Sequence, residues 1–199
     1  EINYHKHYIN RYAFLFNEYI GNKYVYLPEL SLRHTGQKTF QFDNSHKTIA
    51  LYLGGENKEF RKYPDEYAVQ LLRLLNRQGY NLLLIGDEND NIKHTQYAEE
   101  ARIDHLINLT ARTTIEGFIN TIANVDLIIT IDSSALHIAA AVKTPFIALM
   151  GLSTSPTSTI LPKVPLGRIL KIENNLIREE DYIRNITPDL ILKTISELI

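Results

Sequence analysis

The sequence predicts an α/β fold, a Rossmann-like doubly wound parallel sheet with helices on both of its faces. From Thr48 onward, short apolar runs rich in β-branched residues alternate with segments of helical spacing, and the connections between them are short. Alternation of this kind is typical of parallel strands joined by right-handed crossovers. The run Leu127–Ile131 is apolar without interruption, which is the pattern of a strand buried on both faces.

Residues before Thr48 predict a helix and a connector rather than part of the sheet. Apolar side chains recur at helical spacing within residues 5–20, and Gly21 is placed to end that helix. Residues 21–47 are polar and mixed, which favours a connector with a short strand at Tyr24–Leu27. The apolar stripe of the first helix consists of Tyr8, Tyr12, Leu15, Phe16 and Tyr19.

The sheet elements follow in regular order, and most helix starts carry a recognisable signal. Pro64 suits the first position of a helix that ends at Gly79, Asp90 suits the cap of the next helix, and Thr113–Glu116 forms a capping box. Thr187 caps the last helix. The predicted strands are residues 49–53, 81–85, 105–109, 127–131, 146–150 and 168–172. The predicted helices span about 64–79, 90–101, 113–124, 134–142 and 187–199.

Composition excludes several classes of function. The 199 residues are 44% hydrophobic and 22% charged, the balance of an ordinary globular domain. The net charge of −2 gives no electrostatic case for binding nucleic acid. The absence of cysteine excludes disulfides, thiolate catalysis and cysteine-based zinc sites, and it is compatible with the cytoplasm. No apolar run is long enough for a membrane span, and the start at Glu1, with neither methionine nor signal peptide, predicts a piece of a longer protein.

The densest group of functional side chains is Asp132–His137, which holds a carboxylate, two hydroxyls and an imidazole. This turn lies between a predicted strand and an alanine-rich helix, so it falls at the carboxyl end of a strand, where parallel sheets bind ligands. The helix N-terminus there presents unpaired N–H groups and a partial positive charge, which suit a phosphate. His137 would donate a hydrogen bond to a phosphate oxygen. The structural alternative is that Asp132 only caps the helix while His137 packs on its first turn.

A second candidate group follows the first strand. Gly54 and Gly55 allow backbone to approach a ligand closely, and the basic pair Arg61 and Lys62 lies just before the next helix. The alternative is a solvated basic pair without a ligand.

A third candidate group is the acidic turn Gly86–Asp90, which follows the second strand. In Rossmann domains a carboxylate in this region binds ribose hydroxyls. Asp90 and Glu88 are the two candidates for that role. The alternative is an acidic turn in which Asp90 is a plain helix cap.

These blocks resemble the C-terminal half of glycosyltransferase family 9, the ADP-heptose:lipopolysaccharide heptosyltransferases. Members carry an Asp-(Ser/Thr)-Gly-x-x-His stretch followed by Ala-Ala, which is matched here at Asp132–His137 and residues 139–140. Residues 54–64 are similar to the family's loop of small or hydroxyl residues, a basic residue and Trp-Pro, with Tyr63 in place of Trp. Ile186–Pro188 is similar to the Ile-Thr-Pro before the family's last helix.

The resemblance implies a GT-B protein, in which two Rossmann-like domains face each other across a cleft. Residues 1–47 would be the interdomain helix and connector, 48–175 the nucleotide-sugar-binding domain and 176–199 a C-terminal helical segment, with the N-terminal acceptor domain absent. The implied function is the donor-binding half of an inverting, metal-independent glycosyltransferase in lipopolysaccharide or other surface-glycan synthesis. It needs no cofactor, and its donor is a nucleoside diphosphate-sugar, ADP-heptose in the family.

The resemblance also assigns roles to residues. Arg61, at the position of a family lysine, and His137 would stabilise the leaving diphosphate, with Lys62 as the alternative to Arg61. The family's catalytic base lies in the N-terminal domain, so the fragment is expected to bind donor without turnover. The donor-binding residues that the resemblance implies are Gly54, Gly55, Lys62, Glu88, Asp90, Asp132, Ser133, Ser134, Ser153 and Thr154.

Two departures from the family pattern favour a rival hypothesis, a non-catalytic Rossmann-like domain with a degenerate site. Ser134 stands where the family has glycine, and the loop after Gly151 is one residue longer than the family's and lacks its aspartate. The expected partners are the nucleotide-sugar and a glycan or lipid-linked acceptor. The expected location is the cytoplasm, with peripheral association at the inner face of the membrane. Apolar residues on the first and last helices predict self-association of the fragment.

Overall fold

The computed structural model describes residues 15, 17–21, 31–43, 45–54, 62–151, 162, 165–171 and 178–199. Within these residues six strands form one parallel sheet and five helices flank it, while residues 15 and 17–19 belong to a further helix. The strands are β1 (Thr48–Tyr52), β2 (Asn81–Leu84), β3 (Leu106–Asn108), β4 (Leu127–Ile131), β5 (Phe146–Leu149) and β6 (Gly167–Leu170). The helices are α1 (Asp65–Arg77), α2 (Asn91–Ala101), α3 (Ile115–Ala123), α4 (Ser134–Val142) and α5 (Pro188–Ile195), with 3-10 segments at Glu88–Asp90 and Glu179–Asn185.

These boundaries confirm the α/β prediction. All six predicted strands are present with their ends within two residues of expectation, and α4 has the predicted bounds. The last helix is shorter than predicted because it ends at Ile195. Beyond it, Glu197 N–H donates to the Thr194 carbonyl at 3.2 Å, a tightened turn that closes the helix. The predicted strand at 24–27 and most of the predicted helix at 5–20 lie outside the described residues.

Strand order is the feature that positions the site. The order is β3-β2-β1-β4-β5-β6, so the chain runs outward from β1 to β3, returns to the middle at β4 and then runs outward on the other side. β1 therefore pairs with both β2 and β4, and its register with β4 places Tyr52 beside Thr130. In doubly wound sheets such a reversal of strand order opens the crevice in which ligands bind.

The sheet forms the centre of the core because its middle strands are apolar on both faces. Every residue of β1, β2, β4 and β5 is buried. α1 packs on α2 and on α5, whereas α3 packs on α4, which gives two separate helical groups against the sheet. Among the helices of the described residues, none has both the length and the apolar character that crossing a membrane requires.

The last helix is covered by this domain. Ile191 and Ile195 of α5 are fully buried, and α5 packs on α1. The expectation that this helix leaves apolar surface without cover is therefore wrong for these two side chains. Leu15 and Tyr19, from the predicted first helix, are 62% and 89% exposed. The prediction of self-association thus depends on the first helix.

Tyr63 joins the end of β1 to the carboxyl-terminal segment. Its backbone N–H donates to the Leu53 carbonyl at 3.3 Å, and its hydroxyl donates to the Ile186 carbonyl at 2.9 Å. The residue is 1% exposed, and its ring packs at a tilt on Tyr67 with centroids 5.9 Å apart. Burial raises the pKa of the Tyr63 phenol, so the hydroxyl stays a neutral donor.

We expect Tyr63→Phe to lower the free energy of unfolding by about 1–3 kcal/mol, because it leaves the buried Ile186 carbonyl without its donor. Tyr67→Phe is the matched control, since Tyr67 belongs to the same ring pair but is only partly buried. It should change stability by less than about 0.5 kcal/mol. Urea denaturation followed by circular dichroism measures both variants. Equal losses would show that the bond to Ile186 does not stabilise the fold.

Candidate functional site

The candidate site lies at the carboxyl edge of the sheet, where the neighbouring strands β1 and β4 end. Gly54 comes two residues after β1, and Asp132–His137 follows β4 directly. Since Tyr52 pairs with Thr130, the turns that carry these residues are neighbours. The acidic turn Gly86–Asp90 follows β2, which pairs with β1 on its other side. The structure therefore places the described parts of all three predicted groups along one edge.

The Asp90 carboxylate fills the space between the ends of β1 and β2. Asp90 is only 4% exposed, and a Cβ atom at Gly54 would overlap its carboxylate. A Cβ atom at Gly86 would lie 2.7 Å from Asp90 Oδ2, which is also too close. Glycine is required at both positions because a side chain of this protein approaches the backbone there.

Asp87 caps the acidic turn, and Asp90 stands at the N-cap position of α2. Asp87 Oδ1 accepts the Asn89 N–H at 2.8 Å, and Asp90 Oδ2 accepts the Asp87 N–H at 3.2 Å. Asp90 immediately precedes α2 but makes no side-chain hydrogen bond to its first turn. Its carboxylate instead points inward to the two glycines. Glu88, the other candidate for ribose, is exposed.

Hydroxyl groups fix the turn between β4 and α4. Thr130 Oγ1 donates to the Ile131 carbonyl at 3.0 Å and lies 2.9 Å from Ser133 Oγ. Because the single hydroxyl hydrogen of Thr130 goes to Ile131, Ser133 is the donor in that pair. Ser133 is also the N-cap residue of α4, with an extended backbone. Asp132 therefore lies one residue before the N-cap position.

The first turn of α4 suits an anion. The Ser133 hydroxyl makes no cap hydrogen bond to this turn, whose first backbone N–H groups point out of the helix N-terminus. A helix N-terminus in this state binds phosphate groups favourably. Ser134 is exposed at the first helical position, whereas Asp132 and His137 are half-buried. Leu136 is fully buried and anchors the turn in the core.

Lys62 contributes to a charged cluster around Asp65 at the start of α1. Burial raises the pKa of the Asp65 carboxyl, but hydrogen bonds from Lys93 and Tyr97 and the charges of Lys93 and Lys62 outweigh burial and hold the pKa below its usual value. The bonds from Lys93 and Tyr97 tie α2 to α1. The remaining predicted site residues, Gly55, Arg61, Ser153 and Thr154, lie outside the described part of the chain.

His94, a buried residue of the helix that follows the acidic turn, was not predicted from the sequence. His94 is fully buried in α2, and its Nδ1 lies 2.7 Å from Thr110 Oγ1. A Cβ atom at Gly86 would be 3.2 Å from His94 Cε1. Burial lowers the pKa of His94 to about 4, against the opposing effect of the Asp87 charge. The available signal was its spacing of four residues from Asp90, which puts two helical side chains on one face.

The strand order and the position of the candidate site define the class of protein. It is a Rossmann-like α/β domain with its functional edge at the reversal of strand order. In the part of the chain that the structure describes, no three His, Asp or Glu side chains come together as a metal site. Residues 1–180 match the family model of glycosyltransferase family 9 (heptosyltransferase). The chain therefore belongs to glycosyltransferase family 9, as its motifs suggested.

Curated relatives carry heptosyltransferase names. The chain is 31% identical over 163 residues to lipooligosaccharide heptosyltransferase 2 of Haemophilus influenzae. The aligned region covers 76% of this chain and 47% of that protein. It is 25% identical over 172 residues to lipopolysaccharide heptosyltransferase 2 of Salmonella typhimurium, which covers 80% and 49%. The chain thus spans about half the length of the curated relatives it matches.

Solved structures share the fold. The ADP-heptose lipopolysaccharide heptosyltransferase II of Escherichia coli matches with a TM-score of 0.73 at 23% identity, covering 88% of this chain and 54% of that one. A family 9 glycosyltransferase from Veillonella parvula matches with a TM-score of 0.80 at 16% identity, covering 100% of this chain and 61% of that one. At these identities the likeness confirms the fold prediction.

We expect Gly54→Ala to destabilise the protein by about 1–3 kcal/mol, because the added methyl group overlaps the Asp90 carboxylate at a packed edge. Gly117→Ala is the control. A Cβ atom at Gly117 would lie 3.4 Å from Thr114 Oγ1, an ordinary contact in a helix. Alanine in that helix should be neutral or stabilising by up to about 1 kcal/mol. Thermal and urea denaturation compare the two, and equal stabilities would show that Asp90 does not occupy this space.

Proposed function

We propose that this chain is the donor-binding part of an inverting, metal-independent glycosyltransferase of the heptosyltransferase kind. One observation carries the proposal. In this family 9 chain, Gly54 and the Asp132–His137 turn follow two paired strands, β1 and β4, at the point where strand order reverses. Relatives named for heptose transfer in lipooligosaccharide and lipopolysaccharide support the substrate class. We extend it to a nucleotide-sugar donor, with ADP-heptose as the first candidate because a structural relative is named for it.

The domain proposal follows from the same placement. Residues 48–175 bind the nucleotide-sugar, because they hold the whole sheet and the three candidate turns. Residues 1–47 serve as the interdomain helix and connector, and residues 176–199 as a C-terminal helical segment. An acceptor-binding N-terminal domain completes the enzyme in this proposal.

In this proposal the donor diphosphate lies over the N-terminus of α4. The first turn offers backbone N–H groups, Ser134 adds a hydroxyl, and His137 adds an imidazole N–H. Ser133 donates to the diphosphate only by exchanging its hydrogen bond to Thr130 for one to a phosphate oxygen. A cation approaches from the loop after β1. Arg61 is favoured over Lys62 for this role because the Lys62 charge already acts on Asp65. Ser153 and Thr154 contribute from the loop after β5, as the family resemblance implies.

The nucleoside end of the donor lies over the acidic turn. Asp90 forms the floor there, and its carboxylate is engaged by the Asp87 N–H and packed against Gly54. Glu88 is exposed beside it and reaches a ribose without rearrangement of the turn. Both carboxylates remain in the proposal, Asp90 as the buried group at the base of the turn and Glu88 as the more accessible group.

The reaction transfers a sugar from the diphosphate to an acceptor hydroxyl. The bond from the anomeric carbon to the diphosphate oxygen breaks, and the α4 N-terminus, His137 and Arg61 stabilise the charge on the departing diphosphate. A base in the acceptor-binding domain takes the proton of the attacking hydroxyl, so residues 1–199 alone bind donor without turnover. The reaction takes place at the cytoplasmic face of a membrane, where a nucleotide-sugar meets a glycan or lipid-linked acceptor.

A second candidate function is a non-catalytic nucleotide-binding or interaction domain. Ser134 favours it, because this exposed side chain begins α4 at the position where the family motif has glycine. A hydroxymethyl group there narrows the space for a pyrophosphate. Sugar dependence separates the two functions, since a donor site discriminates between different sugars on the same nucleoside diphosphate, whereas a nucleotide sensor binds all such conjugates alike.

We expect this chain to bind a nucleoside diphosphate in the presence of EDTA, because amide N–H groups and side-chain cations supply the phosphate contacts. Isothermal titration calorimetry with ADP, UDP and GDP, each alone and as a sugar conjugate, measures this binding and identifies the base. Magnesium or manganese should leave the affinity unchanged. Binding that disappears with EDTA and returns with either metal would contradict metal independence.

We expect His137→Ala to weaken nucleoside diphosphate binding by about tenfold, the loss of one hydrogen bond to a charged group. Its melting temperature should change little, because His137 is only half-buried. His105→Ala is the control, since His105 is exposed and precedes β3 at the opposite edge of the sheet. A large fall in melting temperature with unchanged affinity would identify His137 as a core residue instead.

A further inference from the structure

His94 is a buried polar side chain beneath the site that the proposed mechanism does not use. It lies in α2, is 0% exposed and stacks at a tilt near Tyr97, with ring centroids 5.8 Å apart. One ring nitrogen, Nδ1, meets Thr110 Oγ1 at 2.7 Å. The other, Nε2, is buried and has no hydrogen-bond partner among the described residues. A buried nitrogen of this kind calls for an explanation.

The charge and tautomer of His94 follow from its surroundings. Burial favours the neutral ring, which carries a hydrogen on one nitrogen only. A hydrogen on Nε2 would be a buried donor without an acceptor among the described groups, which folded proteins rarely leave. A hydrogen on Nδ1 is donated to Thr110 Oγ1 instead. The geometry therefore selects the Nδ1–H tautomer.

Thr110 belongs to a turn that is held against the acidic turn from below. Leu109 N–H donates to the Leu84 carbonyl at 2.8 Å, and Ala111 N–H donates to the Gly86 carbonyl at 3.1 Å. Ala111 has a φ of 59°, a left-handed conformation that is costly for alanine and needs support from its neighbours. Two side-chain hydrogen bonds support this turn, the bond between Thr110 Oγ1 and His94 and the bond from the Thr110 N–H to Asn108 Oδ1 at 3.0 Å.

We propose that His94 is a positioning residue for the nucleoside end of the donor site. In its neutral Nδ1–H form it fixes Thr110 and packs on Gly86, so that the turn after β3 and the acidic turn after β2 form one rigid wall. This inference rests on the proposed function, because it assumes that a nucleoside lies at this wall. His94 does not touch the ligand, and the phosphate contacts at α4 do not depend on it.

Binding measurements on the full 199-residue chain test the role of His94. Thr110→Val replaces the hydroxyl with a methyl group, and it should weaken binding of the nucleoside diphosphate that the wild type prefers by about tenfold. Thr110→Ser keeps the hydroxyl and should bind this ligand as the wild type does. His94→Phe should match Thr110→Val, and the double variant should lose no more than either. Inorganic pyrophosphate, which lacks a nucleoside, should bind all variants equally. His105→Phe is the control at the exposed edge.

Several outcomes would contradict the positioning role of His94. Equal weakening of pyrophosphate and nucleoside diphosphate, or equal affinities for Thr110→Val and Thr110→Ser, would overturn the positioning role. Nitrogen-15 NMR of His94 provides a test that needs no ligand, and an Nε2–H tautomer would also overturn it. Hydrogen exchange at the Ala111 amide should be faster in Thr110→Val and in His94→Phe than in the wild type. Exchange at the Ile128 amide in β4 should be unchanged. If the wild type binds no nucleotide while His94 carries its hydrogen on Nδ1 and the Ala111 amide exchanges faster in the variants, the proposed function is wrong and the structural role of His94 is retained.

Discussion

The pairing of β1 with β4 is the constraint on which the rest of the structure depends. These strands are far apart in sequence, yet their register sets Tyr52 beside Thr130 and brings the turns after them together. Both strands are buried along their full length, so their register is fixed by apolar packing on two faces. A slip of one residue would exchange the faces of β4 and move Asp132–His137 relative to Gly54. The candidate site is thus a product of core packing.

Polar groups are buried at the same edge, and their cost is offset locally. The Asp90 carboxylate accepts the Asp87 N–H, and the His94 ring bonds Thr110. Burial of either group without a partner would be unfavourable. The two glycines, Gly54 and Gly86, remove the side chains that would otherwise exclude the carboxylate. The edge is therefore packed with polar side chains whose positions are mutually determined, which gives a fixed shape to the surface above.

The sequence carried enough information for the fold and for part of the site. Buried strands such as Leu127–Ile131 and the alanine-rich α4 were predictable because long-range packing and local pattern agree there. The cap at Ser133, rather than Asp132, was not predictable, because it depends on one residue's backbone angles and on a hydroxyl bond to Thr130. The inward turn of Asp90 and the burial of His94 depend on contacts with Gly54 and Thr110, and the four-residue spacing of the two side chains does not specify those contacts. The roles of all the proposed site residues stay predictions, and Arg61, Ser153 and Thr154 also lie outside the described residues.

The hydrogen bond from Tyr63 to Ile186 has a consequence for the order of events during synthesis. It joins residues 123 positions apart, and the chain leaves the ribosome from its N-terminus. The segment that ends at Tyr63 therefore lacks this anchor until Ile186 has emerged. Contacts of such separation close late, because loop closure costs entropy before the bond forms. A nascent chain thus assembles its sheet first, and the edge with the candidate site reaches its final form only after translation has passed Ile186.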